Sequence, residues 1–274
     1  MKSKTLLTVL TVLAVILLVL AAGLAWRRAA YLPEITERQE AQEQYESLAE
    51  TVVQIPGKEP EAEMSAEAPS SPSGAQEASG STLVDFDSLA ALNPDTVAWI
   101  SSPGAGINYP VVQAADNNAY LRRSFTGEQS IAGTIFLDFA NSSDFSDGNS
   151  IIHGHNMFDG STNMFSSLPG YTDIAFWKDN PDIHLVTTDG EVVYRIFAVC
   201  RFDISSGTAA ADYYRQDFRS EEHQMEYIQN LINQSLIQTN ETVPTGSKLL
   251  TLSTCERKVY GDNGRLIVVG YLAK

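Results

Sequence analysis

The residues of this chain best suited to covalent chemistry lie near its C-terminus. The apolar, β-branched run LLTLST at 249–254 ends in Cys255, and a second β-type run, 265–269, opens with Arg265 after a loop rich in Gly, Asp and Asn. Two such runs joined by a turn-rich loop predict neighbouring antiparallel strands, which would place the thiol and the guanidinium at the same rim of a sheet. A thiolate is a nucleophile, and a nearby fixed cation stabilises both the thiolate and an oxyanion formed by its attack on a carbonyl.

A nucleophilic cysteine also needs a partner for proton transfer. The best candidate lies in NSIIHGHNM at 149–157, where an apolar strand ends in a glycine-containing turn that carries His155. His153 and His155 are two residues apart, a spacing that would put both on one face of a strand and could suit zinc. A zinc site needs further ligands, and the other histidines, His184 and His223, have no ligand-like neighbours in the sequence. We therefore expect neither a metal nor another cofactor.

Composition narrows the function classes. The chain has 274 residues, of which 43% are hydrophobic, a net charge of −16 and only two cysteines. A nucleic-acid partner is not expected, because phosphate binding requires a basic face. Two cysteines are too few for a disulfide-stapled secreted scaffold. Cys200 lies in the apolar run YRIFAVC and is predicted to pack in the core, which leaves Cys255 as the functional thiol.

The first 28 residues predict a membrane anchor. Residues 5–26 carry no charge and consist mainly of Leu, Val, Ala and Ile, which is roughly the 20 apolar residues that a helix needs to cross a bilayer. Trp26 stands at one end, where an aromatic anchor is expected, but basic residues flank both ends, so the orientation signal is weak. A signal anchor with a cytoplasmic N-terminus is favoured over a cleaved signal peptide, because the apolar run is long for one, and over a buried soluble helix.

Residues 29–82 are expected to form an extracytoplasmic stalk. The part 33–53 is rich in Glu, Gln and Ala and predicts an exposed helix with a thin apolar stripe; a weak coiled coil is the alternative. The part 56–82 is rich in Pro, Ser, Glu, Ala and Gly and lacks the apolar content to fold, so a flexible spacer is expected there. The folded domain is then expected to occupy 83–274.

The domain at 83–274 contains many short β-type runs separated by turn signals. This pattern predicts a mainly β fold with added helices, closed or nearly closed into a barrel. Asp189-Gly190 predicts a hairpin turn between two of the strands, and Pro110 indicates an edge strand or a bulge. Residues 220–237 have the apolar periodicity of an amphipathic helix.

Several motifs together resemble those of a known family. The TLSTC box that ends at Cys255 is followed by Arg265 in the next strand, and GTIFLD at 133–138 precedes GHNM at 154–157. This combination resembles the class B sortases, which are cysteine transpeptidases of the Gram-positive cell surface. The resemblance implies a closed eight-stranded β-barrel with N-terminal helices and a helix inserted before the penultimate strand, where the amphipathic helix falls.

The resemblance implies that His155, Cys255 and Arg265 are the catalytic residues. Arg265 matches the family arginine ten residues after the cysteine, whereas Arg257, the rival cation, falls in a predicted loop. The family usually has a tyrosine where this chain has His153, a difference expected to alter local hydrogen bonds and to leave the catalytic assignment intact. Substrate contacts are also implied for Asn117 and Leu121 of the DNNAYL box, for Ser253, Thr254 and Glu256 beside the cysteine, and for Tyr213 or its neighbour Tyr214. Ordinary packing is the alternative for Leu121 and the tyrosines.

The motifs and the N-terminal segment together predict a single-pass membrane enzyme with its catalytic domain outside the cell. The resemblance to the class B sortases implies that its thiolate attacks a threonine carbonyl in the C-terminal sorting signal of a surface protein. The acyl group would then pass to an amine of a peptidoglycan peptide or of its lipid-linked precursor. A pilin polymerase that uses a pilin lysine is an alternative, as is a hydrolytic cysteine protease. A non-catalytic surface-binding module is a further alternative, which the intact Cys-His-Arg set argues against.

Overall fold

The computed structural model describes residues 2–54, 82–205, 207 and 213–273, which fall into two compact units, 1–43 and 44–274. Within these residues the helices are α1 (Lys2–Val52), α2 (Phe86–Leu92), α3 (Ile174–Asp179), α4 (Glu221–Gln234) and α5 (Arg257–Tyr260). The strands are β1 (Val53–Gln54), β2 (Leu83–Val84), β3 (Thr96–Ser102), β4 (Ile107–Val112), β5 (Phe136–Leu137), β6 (Asn149–His153), β7 (Asp182–Thr187), β8 (Gly190–Asp203), β9 (Leu249–Cys255) and β10 (Gly264–Leu272). Short 3₁₀ helices cover Pro103–Ala105, Leu168–Thr172 and Gly261–Asn263.

Eight of the described strands form a barrel in the order β10-β8-β7-β3-β4-β5-β6-β9, and the pairing of β9 with β10 closes it. The pairs β4–β5 and β6–β9 are parallel, and the other neighbours are antiparallel. Closure removes the unpaired edges that an open sheet would expose. The predicted mainly β fold with a closed eight-stranded barrel is therefore confirmed.

Three local signals of the sequence can be followed into the sheet. The hairpin predicted around Asp189-Gly190 joins β7 to β8. The apolar run GTIFLD at 133–138 contributes only the short β5, because Phe136 and Leu137 are the described residues of this run that have ladder partners. Pro110 lies in β4. Its ring nitrogen, which cannot donate, faces the same side as the Val112 N–H, toward β5. Among the described residues β4 and β5 share a single residue pair, so the proline interrupts little pairing.

The inserted helix α4 packs against β8 and β10 and lies before the penultimate strand, as predicted. Its first turn is capped by Ser220, whose hydroxyl accepts a hydrogen bond from the backbone N–H of His223. Ile228 and Leu231 are buried in the cluster beneath it, together with Cys200. The thiol of Cys200 donates to the Leu231 carbonyl, and burial raises its pKa to about 12. Cys200 is therefore a protonated core thiol, which confirms its predicted packing role.

The N-terminal helix α1 includes Pro33 and continues to Val52. Among the described helices it is the one that is long and apolar enough to cross a membrane, with a mean hydropathy of 1.8 over an 18-residue window. The compact unit that contains the barrel begins at Gln44, ahead of the start at residue 83 expected from composition. Apart from Thr82, the spacer predicted for 56–82 lies outside the described residues.

The predicted exposure of the helix at 33–53 is wrong for its C-terminal turns. Tyr45, Ala49 and Val52 are buried within the unit that starts at residue 44. The Tyr45 hydroxyl donates to the Gly133 carbonyl at 2.9 Å, and its ring packs edge-on against Tyr109 with centroids 5.4 Å apart. Spacing alone showed the thin apolar stripe, but its burial depends on contacts with residues far along the chain.

We predict that Tyr45→Phe lowers the free energy of unfolding by about 1 kcal/mol, because the ring contacts persist while the Gly133 carbonyl loses its donor. Urea denaturation of the full-length protein in detergent measures this change. Glu50→Ala, at an exposed position of the same helix, is the control and should change stability by less than about 0.5 kcal/mol. Equal losses in the two variants would contradict a role for the Tyr45 hydrogen bond.

Candidate active site

Strand β9 carries the candidate nucleophile between two partner strands of opposite direction. On one side it pairs in parallel with β6, which sets Ser253 opposite His153. On the other side it pairs antiparallel with β10, which sets Cys255 opposite Arg265. The antiparallel pairing predicted for the two C-terminal runs is confirmed. Cys255 is partly exposed at the end of its strand, so its thiol stands at the barrel rim.

The turn that follows β6 is fastened to the end of β9. The hydrogen bonds run from Gly154 N to Ser253 O at 3.1 Å, from Thr254 Oγ1 to Gly154 O at 2.8 Å, and from Asn156 Nδ2 to Cys255 O at 3.3 Å. His155 lies between the bonded residues of this turn. Its backbone is therefore held along the last residues of the strand that ends in the cysteine.

The His155 ring is fixed at one nitrogen. Its Nε2 lies 2.7 Å from the Leu121 carbonyl oxygen, which only accepts, so Nε2 carries a proton and Nδ1 is left for proton transfer. Gly133 permits this approach, because its φ is +63° and a Cβ there would lie 2.9 Å from the Leu121 oxygen and 3.2 Å from His155 Cδ2. Burial lowers the His155 pKa below 6.5; the Leu121 bond opposes this shift and the charge of Arg122 adds to it.

Arg265 is held by the loop that precedes it. Its Nη1 donates to the carbonyl oxygens of Asp262 and Gly264, each at 2.9 Å. Glycine is required at position 264, because a Cβ there would lie 1.9 Å from the Glu256 carbonyl oxygen. Within the described residues no acceptor engages Nε or Nη2 of Arg265. These two donors are therefore available for a ligand at the rim opposite Cys255.

The rival cation, Arg257, lies in α5 and is 62% exposed. Its Nε lies 3.1 Å from the carboxylate of Asp262, which is itself 89% exposed, and its guanidinium lies 4.8 Å from the centre of the Phe158 ring. Surface ion pairs of this kind contribute little. The structure thus pairs Arg265, and not Arg257, directly with the cysteine across the β-ladder.

His153 and His155 do not share a strand face as the spacing suggested, because β6 ends at His153. The His153 Nε2 donates to Asp138 Oδ2 at 3.0 Å, whereas His155 bonds a different loop. Burial alone would raise the pKa of Asp138, but the bonds from His153, from the Ala140 N–H and from Asn117 outweigh it and lower that pKa. Asp138 was not predicted as a site residue; its position at the end of GTIFLD is the signal that could have identified it.

Asn117 and Leu121, the two residues implied by the DNNAYL box, both support neighbours of the site. Asn117 Nδ2 donates to Asp138 Oδ2 at 2.8 Å, and its Oδ1 accepts from the Phe139 N–H at 2.9 Å. Leu121 is 37% exposed, and its carbonyl oxygen accepts the hydrogen bond from His155 Nε2. Asn117 is thus already engaged within the protein, and Leu121 and Phe139 offer apolar surface beside it.

The other implied contact residues are mostly buried. Ser253 and Tyr213 are 2% and 1% exposed and share a hydrogen bond between their hydroxyls. Tyr213 therefore lies beneath the site and does not line an open groove, whereas Tyr214 is 44% exposed. Thr254 is buried, and its hydroxyl donates to the Gly154 carbonyl oxygen. Glu256 is 4% exposed, with Oε2 3.6 Å from the Nε of Arg201.

Comparison with known proteins agrees with this geometry. The family model of the sortase domain matches residues 100–273. Sortase B of Listeria monocytogenes is 33% identical over 193 residues, which cover 70% of this chain and 76% of the relative. Sortase B of Staphylococcus aureus is 30% identical over 189 residues, covering 69% and 75%.

Solved structures give the same result. The Staphylococcus aureus sortase B–substrate complex matches with a TM-score of 0.62 and 29% identity, over 69% of this chain and 84% of that chain. Clostridium perfringens sortase B matches with a TM-score of 0.63 and 27% identity, over 69% of this chain and all of the other. The chain therefore belongs to the sortase family, and within it to the class B sortases, which are cysteine transpeptidases.

Proposed function

We propose that Cys255, His155 and Arg265 catalyse the transfer of a surface protein from its C-terminal sorting signal to an amine of the cell wall. The observation that supports this most directly is the register of β9. That strand sets Cys255 opposite Arg265, and its hydrogen bonds hold the turn that carries His155. The three residues supply the nucleophile, the cation and the proton carrier that acyl transfer through a thioester requires.

In the first half-reaction the Cys255 thiolate forms a bond to the threonine carbonyl carbon of the sorting signal, and negative charge moves to the carbonyl oxygen. Arg265 offers its Nε and Nη2 donors to the substrate and to that oxyanion, while Nη1 stays fixed on the loop carbonyls. The carbon–nitrogen bond then breaks. His155 gives the departing amine the proton that its Nδ1 took from the Cys255 thiol, and a thioester on Cys255 is left.

In the second half-reaction an amine attacks the thioester carbon, His155 Nδ1 takes the proton of the amine, and the carbon–sulfur bond breaks to restore the thiolate. The proposed acceptor is the amine of a peptidoglycan peptide or of its lipid-linked precursor. Similar solved structures include the sortase B–substrate complex of Staphylococcus aureus and a sortase B complexed with triglycine, each 29% identical to this chain. They support peptide ligands for this site.

Sortases are cell-surface enzymes, and α1 provides a segment that could anchor this one. In the proposed arrangement residues 1–28 form a single-pass anchor, 29–82 a stalk and 83–274 the catalytic domain on the outer side of the membrane. Protease added to intact cells should then cut the spacer at 56–82. Full protection of that spacer would contradict this orientation.

The central test uses full-length protein in detergent with a library of candidate sorting peptides. The matching peptide alone should be cleaved slowly, and mass spectrometry should find an acyl adduct on Cys255. Hydroxylamine should convert the adduct to a hydroxamate, and an added amine should give the joined product, because a positioned amine outcompetes water. Cys255→Ala should abolish all three. Fast cleavage with no adduct and no dependence on amine would show a hydrolase, and a product formed only with a pilin would show a pilin polymerase.

A second prediction separates the two arginines. Arg265→Lys should reduce the rate of thioester formation by about 100-fold, since an ammonium cannot replace a planar fork of fixed donors. Arg257→Lys makes the same chemical change at an exposed position outside the ladder pairing with Cys255 and should have a much smaller effect on that rate. Burst kinetics with a sorting peptide give both values. The reverse order would assign the electrostatic role to Arg257.

A third prediction concerns the protonation of His155. NMR titration should place its pKa below 6.5, because partial burial disfavours the imidazolium. The unfolded chain then takes up this proton first as the pH falls, so stability from this group decreases as the pH drops below 6.5. Arg122→Gln should raise the His155 pKa by removing a nearby positive charge. Arg123→Gln removes the neighbouring charge as a control, and an equal shift in both variants would contradict the effect of Arg122.

A further inference from the structure

The last turns of α1 pack against the segment 120–134, which carries the carbonyl group that binds His155. Tyr45, in these turns, is 2% exposed. Its hydroxyl donates to the Gly133 carbonyl oxygen at 2.9 Å, and the same hydroxyl oxygen lies 3.1 Å from the side-chain oxygen of Thr134. All of these residues belong to the compact unit that starts at residue 44. The C-terminal end of α1 is therefore part of the catalytic unit.

The Tyr45 hydroxyl is held in place by its own ring. The ring packs edge-on against Tyr109 of β4, with centroids 5.4 Å apart. Tyr109 is itself 2% exposed, so the barrel wall fixes one side of the contact. A tyrosine hydroxyl keeps its proton at neutral pH, and a carbonyl oxygen can only accept a hydrogen bond. The Gly133 carbonyl thus has a fixed donor that lies 88 residues away in the sequence.

Gly133 is packed against both partners of the hydrogen bond that orients the histidine. A Cβ at this position would lie 2.9 Å from the Leu121 carbonyl oxygen and 3.2 Å from His155 Cδ2. The next residue, Thr134, donates its backbone N–H to the Tyr120 carbonyl oxygen at 3.1 Å and so ties the two sides of the segment together. A displacement of Gly133 therefore moves the Leu121 oxygen relative to the His155 ring.

The hydrogen bond between His155 and Leu121 decides which ring nitrogen can exchange a proton. Nε2 lies 2.7 Å from the Leu121 oxygen and carries a proton, so Nδ1 is the nitrogen left for the thiol and the amine. If that oxygen moves, the ring is free to rotate or to take the other tautomer. Such displacements are costly, because a shift of about 1 Å can slow a reaction by about 100-fold.

We propose that Tyr45 is a positioning residue that holds His155 in its productive tautomer and orientation, acting through Gly133 and the Leu121 carbonyl. The buried hydroxyl of Tyr45 needs no contact with the sorting signal for this role. The inference rests on the transfer function proposed above, in which His155 Nδ1 carries the proton. It adds the end of α1 to the catalytic apparatus, so the site is complete only when these turns are docked.

The kinetic test compares two variants of the same helix in the full-length protein in detergent. Tyr45→Phe keeps the ring and removes the hydroxyl that binds Gly133. Val52→Ala removes buried methyl groups about 10 Å further along the helix, beside the backbone bond to Asp85, and is the control. At saturating sorting peptide, Tyr45→Phe should slow thioester formation about tenfold and change the KM for the peptide by less than about twofold. Val52→Ala should leave both values close to those of the unaltered protein.

A spectroscopic test reads the histidine directly and needs no peptide. In ¹⁵N NMR spectra, with the His155 signals assigned by their loss in His155→Gln, Tyr45→Phe should reduce the fraction of the tautomer protonated at Nε2. The His155 pKa should also fall, because the Leu121 bond that raises it is weakened. Val52→Ala should change neither property.

Three results would overturn the proposal: unchanged kinetics in Tyr45→Phe, a slower rate with an unchanged His155 spectrum, or the same changes in both variants. Absence of a thioester in the unaltered protein would instead count against the proposed transfer function, and the spectra would still decide whether Tyr45 positions His155.

Discussion

The site depends above all on the register of β9 between a parallel and an antiparallel neighbour. Because β6 and β10 both pair with this strand, a single ladder fixes Ser253 against His153 and Cys255 against Arg265. A shift of one residue would turn the thiol to the other face of the sheet, since side chains alternate along a strand. Barrel closure prevents such a shift, because β9 has a partner on each edge and its side chains are buried up to Thr254.

The three candidate catalytic groups use this rigid frame in different ways. The thiol sits on the strand itself, whereas the imidazole and the guanidinium are oriented by hydrogen bonds to carbonyl oxygens of loops. Close packing of glycines makes both loop contacts possible, at Gly133 for the histidine and at Gly264 for the arginine. Beneath them a buried polar network joins Asp138 to His153 and Tyr213 to Ser253, so the floor of the site is held by satisfied hydrogen bonds.

Local sequence signals were sufficient to predict a structural feature wherever the interacting residues are near one another in the sequence. The pairing of Cys255 with Arg265 follows from two β-type runs joined by one loop, and the β7–β8 hairpin follows from Asp189-Gly190. The helix at 220–237 was predicted from its apolar period and appears as Glu221–Gln234. Such features depend on backbone propensity and periodicity, which a short window of sequence contains.

The sequence by itself determined the mainly β class, because strand and turn signals depend on residue types and short-range spacing. Its motifs, through their resemblance to the class B sortases, also identified the family and the candidate Cys-His-Arg set. Only the tertiary structure decided the burial of Tyr45, bonded to a carbonyl 88 residues away, and of Tyr213, bonded to a serine 40 residues away. It also brought the Nε of Arg201 to within 3.6 Å of the carboxylate of Glu256, the residue that follows Cys255. These contacts arise from chain closure over long separations, and no local pattern specifies which distant partner a buried hydroxyl or guanidinium will meet.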